Sequence, residues 1–239
     1  MCVVLVLVVI SLAGQYFRDF FGDNELAQKI ISKVNLDEER NNLPTWYQSS
    51  SLLVCSLILL VIGHVRDAVK DRDAKFWWIL SFLFLVLSVD EAVSIHEQMT
   101  VPLRSAFNLE GIFFLSWVIP AAVAVAILVV VFAGFLTRLP PRTRNLMVAA
   151  GALFVFGAIG LEMVGANYMF MLNDPPDIDK DFGYALITTT EEFFEMTGIV
   201  VFVYGLLSYL DGASAAVGTT RSVEVLDGET PDTMICGVS

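Results

Sequence analysis

From Ile112 to Leu136 the chain carries no charged residue, and this segment is longer than the ~20 apolar residues needed to cross a bilayer core. A second run, Ile199 to Leu210, is the uncharged end of another long apolar stretch. Composition agrees: the 239 residues are 56% hydrophobic and 17% charged, with the apolar residues gathered in runs. The sequence predicts an all-α fold, a polytopic transmembrane helical bundle.

Six spans are predicted by length and hydropathy: Met1 to Phe17, Tyr47 to Val65, Phe76 to Glu97, Ile112 to Leu136, Leu146 to Leu172 and Phe182 to Leu210. The first is short, but Met1 to Gly14 lacks the basic leading region of a secretory signal and is read as a retained helix. Interfacial aromatics, among them Trp46, Trp77, Trp78 and Tyr209, sit near several ends. Pro120 is expected to kink the fourth span, and Pro140, Pro141, Pro175 and Pro176 mark loops. Residues 1–210 thus form the membrane domain, while 211–239 turn small and polar and read as a disordered tail.

Arg66, Lys70, Arg72 and Lys75 cluster in one short connection, and Arg138, Arg142 and Arg144 in another. The positive-inside rule places both in the cytoplasm, with both termini on that side of a bacterial-type inner membrane. The loop Asn173 to Asp181, with four aspartates against Lys180, suits the outer side. Arg18 to Arg40 has the mixed charge of an amphipathic helix lying on the outer surface. A net charge of -12 leaves no footing for nucleic acid. The partner implied is the lipid bilayer, with a small-molecule or lipid substrate. Cys2, Cys55 and Cys236 show no metal or redox spacing.

The unusual feature is acid inside the spans. The third contains Asp90, Glu91, His96 and Glu97, the fifth Glu162, and the sixth Glu191, Glu192 and Glu195. At ~1.5 Å per residue, Asp90 lies about 21 Å above the inner start of its helix and Glu162 about 24 Å above its own. Glu191, counted down from Tyr184, falls about 20 Å above the inner face of a ~30 Å core. All three share one level. Turning each residue by ~100° puts Asp90, Ser94 and Glu97 on one face, aligns Glu162 with Ala158, Gly165 and Ala166, and joins Tyr184, Thr188, Glu191, Glu195 and Gly198 in one stripe.

An ionised carboxylate near the bilayer centre costs about 2.5–3.5 kcal/mol, so six of them would cost on the order of 15–20 kcal/mol if isolated. No lysine or arginine lies within any of the six spans to offset this. Protons, metal cations or a wet cavity must do so. Glu97, Glu192 and His96 also fit a reading as water-facing residues near helix ends.

Oxygen-rich sites suit divalent metals, and the expectation from sequence is a divalent ion held by Asp90, Glu91, His96, Glu97, Glu162, Glu191, Glu192 and Glu195; the paired Glu-x-x-His pattern of di-iron bundles and the HExxH zinc pattern are both lacking. Two function classes follow: metal-dependent chemistry on a lipid or other apolar substrate, and proton- or cation-coupled transport. A third, a subunit whose acids dock a basic partner, remains open. His64 sits at the inner end of the second span, away from the acids.

Overall fold

The computed structural model describes residues 1–21, 25–34, 42–173 and 181–227. Among them every regular element is helical: α1 (Cys2–Phe21), α2 (Glu25–Val34), α3 (Leu43–Ala68), α4 (Ala74–Val93), α5 (Ile95–Phe107), α6 (Val118–Arg138), α7 (Pro141–Val155), α8 (Glu162–Met171) and α9 (Phe182–Asp227). A π-helical turn, Phe156–Leu161, joins α7 and α8 into one span, Pro141–Met171. Five helices are long and apolar enough to cross a membrane, and Cys2–Phe17 is a shorter apolar helix beside them. The bundle is the expected architecture.

Several boundaries differ from the sequence reading. The third span stops at Val93, because Ser94 takes a left-handed conformation (φ 53°) and α5 restarts at Ile95. The fourth begins only at Val118, so Pro120 falls in the first turn of α6, where its missing N–H breaks no helical bond, and the expected kink has no cause. Pro141 likewise opens α7 instead of lying in a loop. The backbone of α9 continues past Leu210 to Asp227. Of the amphipathic Arg18 to Arg40 stretch, Glu25–Val34 is helical; 35–41, the acidic loop at 174–180 and the tail beyond 227 lie outside the described residues.

Helices α3 and α4 pack antiparallel through a serine ladder. Ser49 and Ser88 exchange hydroxyl-to-carbonyl hydrogen bonds of 2.8 Å each, and Ser56 and Ser81 do the same at 2.7 and 2.9 Å. Each pair is one heptad from the next on its own helix, so the small side chains stay in the seam and let the backbones approach. Between α7 and α9 glycine has the same effect: a Cβ on Gly198 would stand 2.8 Å from the Ala150 carbonyl oxygen.

The apolar core lies toward one end. Leu52, Leu59 and Ile62 of α3, Trp77 of α4, Phe135 of α6, Met147 of α7 and Leu206 of α9 are all buried in one cluster. Trp77 stacks on Tyr209 (4.9 Å) and meets Phe135 edge-on (5.1 Å). At that same end the Arg138 guanidinium donates two hydrogen bonds to Asp73, 2.8 and 2.7 Å long, tying the two basic connections together. Outward faces stay apolar: Val129 and Val130 are 62% and 77% exposed, as a lipid solvent requires.

Candidate functional site

The acids lie at the opposite end from this core, one to three turns beyond it on α4 and α9, with Glu162 on α8. Asp90 is in the last turn of α4. Its carboxylate accepts the His96 backbone N–H at 3.0 Å and pairs with His96 Nδ1 at 2.6 Å. One side chain thus caps the start of α5 and fixes its imidazole, which explains how a left-handed Ser94 is held in place. His96 is half-buried. Burial lowers its pKa, but the hydrogen bond and charge of Asp90, with Glu97 and Glu162 nearby, outweigh that and leave it raised.

The His96 ring packs on Trp117, with centroids 4.4 Å apart, and Trp117 Nε1 donates to Glu162 Oε1 at 2.7 Å. Glu162 opens α8 directly after the π-turn, and its carboxyl lies beside that of Glu191 on α9. Two carboxylates so placed repel each other unless a proton or a cation comes between them. Glu195, one turn further along α9, accepts a 2.7 Å hydrogen bond from Gln48 Nε2 of α3, and the same amide reaches Glu91 of α4.

Thus Gln48, Asp90, Glu91, His96, Glu162, Glu191 and Glu195 form a polar layer across α3, α4, α5, α8 and α9. The α9 stripe faces inward: Tyr184, Thr188 and Glu195 are buried. Glu97 belongs to α5 and lies on its exposed face, while Glu192 is half-buried beside Glu191. The face shared by Asp90 and Glu97 on a single helix does not form, since the helix breaks between them.

Among the described residues, no three of His, Cys, Asp and Glu are grouped as a metal ligand set. The carboxyls are spread in pairs, each joined to an amide or indole donor, to the His96 imidazole or to another acid.

Sequence reasoning missed three participants. Gln48 is 1% exposed and stands between two acids from different helices; a lone amide beside the interfacial aromatics Trp46 and Tyr47 was its signal. Trp117 looked like one more apolar residue of the uncharged run. Gly157, in the π-turn, lets α9 approach so closely that a Cβ there would stand 2.8 Å from Glu195 Cγ and 2.9 Å from the Glu191 carbonyl oxygen. π-turns recur at functional sites.

Residues 1–210 match the model of a domain family of unknown function, DUF8692. Neither the curated proteins nor the solved structures contain a match. With its whole membrane domain covered by that match, the chain belongs to the DUF8692 family.

Proposed function

We propose that this protein is a proton-coupled membrane transporter whose carboxyl layer holds and passes protons. The observation that carries this reading is the Glu162–Glu191 carboxyl pair. The arginines of the spans, Arg66, Arg138, Arg142 and Arg144, lie at the other end of their helices, so a proton is the simplest counter-charge. Trp117, His96 and Asp90 extend from that pair to the start of α6, to α5 and to α4, and Glu195 and Glu91 continue it through Gln48. The main apolar core fills the end where the basic connections lie, and the layer sits nearer the other end, which the positive-inside rule makes the outer one.

Infrared difference spectroscopy on the reconstituted protein tests this. A protonated carboxyl band should be present near neutral pH and diminish in Glu191→Gln. Carboxyls that all titrate like exposed model acids would remove the proposal.

The second reading, a divalent metal site acting on a lipid or apolar substrate, draws support from the convergence of five carboxyls and one imidazole on one layer. It requires these pairs to regroup around the ion, since no ligand set of three is preformed among the described residues. Stoichiometric metal that is lost in Glu162→Gln would favour it over the first.

A further inference from the structure

Gln48 is almost wholly buried, and although its Nε2 is committed to Glu195, its Oε1 has no hydrogen-bond partner. An orphaned acceptor inside a membrane protein is costly, because it has lost water and gained no donor in exchange. It sits between Glu91 and Glu195, in a layer that gathers carboxyls and whose one basic side chain among the described residues, His96, is engaged by Asp90. A group that donates several hydrogen bonds and carries positive charge would satisfy all three residues at once. A metal ion would not be needed, and an anion would be repelled by the acids around it.

The same seam between α3 and α9 continues as an apolar groove of about 400 Å³, lined by Tyr47, Ser51, Val54, Ile199, Val200 and Val203. Ser51 is three residues on from Gln48, and Ile199 is four on from Glu195, so the groove begins one helical turn from the acids. A polar, anionic end and an apolar trough thus lie along one seam.

We propose that Gln48, Glu91 and Glu195 form a binding site for the ammonium group of an amphiphilic organic cation, a primary amine whose hydrocarbon chain lies in the α3–α9 groove. One ammonium N–H is donated to Gln48 Oε1 and the others to the two carboxyls. This deepens the transporter reading by naming its substrate class, and it rests on that reading for the exchange step. Binding of one R–NH₃⁺ displaces one proton from the carboxyl pair, so charge is conserved and the cation and proton exchange one for one. The ionisable groups around that exchange are Asp90 of α4, His96 and Glu97 of α5, Glu162 of α8, and Glu191 and Glu192 of α9.

The test is equilibrium binding of n-hexylammonium to the full chain in nanodiscs, against three comparison probes: methylammonium, hexyltrimethylammonium and n-hexanol. Hexylammonium should bind saturably at one site. Hexyltrimethylammonium, which has no N–H to donate, and methylammonium, which has no chain for the groove, should each bind about tenfold or more weaker, a difference of ~1.4 kcal/mol. Gln48→Leu should abolish the preference for the N–H donor. Val203→Trp, which fills the groove and leaves the acids intact, should weaken hexylammonium toward the methylammonium level. Both variants are compared at equal melting temperature or with wild-type monodispersity, and the groove variant stands alone if Gln48→Leu does not fold. Hexanol binding as well as hexylammonium, which an acyl chain of the bilayer occupying the groove would produce, overturns the proposal, as does unchanged hexylammonium affinity in Val203→Trp. If hexylammonium binds as stated but releases no proton, the ammonium site stands and the transporter reading falls; a protonated-carboxyl band without saturable hexylammonium binding has the opposite meaning.

Discussion

His96 shows how one side chain joins two elements. Its imidazole pairs with Asp90 while its ring covers Trp117, and its pKa is raised above the ordinary histidine value of 6.5. A group whose pKa is raised in the folded state adds stability that is fully present below the unfolded value and is lost as pH rises through the folded one. Thermal melting of the wild type should therefore fall as pH climbs above about 6.5, and His96→Gln should flatten that part of the profile. An unchanged profile would mean that the imidazolium adds nothing to the Asp90 cap. The carboxylates divide in the same way. Glu191 touches Glu162, whereas Glu97 lies on an exposed face, so Glu191→Gln should reduce proton flux in proteoliposomes by roughly tenfold or more and Glu97→Gln by far less. Equal losses would move the function to the rim.

At the scale of elements, two close helix contacts hold the layer in register. The four α3–α4 serine bonds are worth about 0.6 kcal/mol each on average for interhelical bonds in membranes. Replacing Ser49 and Ser88 together by alanine should lower unfolding stability by about 1 kcal/mol, measured by denaturation in mixed micelles. Gly157→Ala is a sharper probe. The added methyl meets the Glu191 backbone carbonyl at 2.9 Å, which cannot rotate away as a side chain could. The cost of such overpacking is about 1–3 kcal/mol, and the shift it forces on α9 should weaken the carboxyl infrared band as well as the fold. A stable Gly157→Ala protein with an unaltered band would show that the π-turn does not position Glu195.

For the whole molecule, the consequence is polarity along the bundle axis. Aromatic and aliphatic packing fills the end bearing Arg66 and Arg138, and the carboxyl layer occupies the other. A cavity of about 150 Å³ between Arg66, Asp71, Trp77, Arg138 and Tyr209 shows that both basic connections meet at the first end. With Cys2 and Cys236 replaced by serine and Cys55 buried, a cysteine at Arg142 should resist an impermeant thiol reagent added outside, while one at exposed Leu172 should react. The reverse pattern would invert the bundle and turn the carboxyl layer toward the cytoplasm.

Hydropathy alone determined that the chain is a helical membrane bundle, because lipid admits few other backbones and a run such as Ile112 to Leu136 has no polar alternative. Helical rise and periodicity also placed Asp90, Glu162 and Glu191 at one level and Glu195 on the same stripe as Glu191, since depth and facing follow from position along a regular helix. They failed where the helix was not regular. The break at Ser94 swung His96 back onto Asp90, and the π-turn at 156–161 reset the facing of Glu162 relative to Ala158. Local sequence does not announce either, because each is held by contacts from elsewhere: the Asp90 carboxylate in one case, and the approach of α9 over Gly157 in the other. Which acid meets which neighbour was likewise a tertiary decision. Gln48 and Trp117 carry no charge and no motif, and only the packing of α3 and α6 against distant helices makes them the hydrogen-bond donors to Glu195 and Glu162.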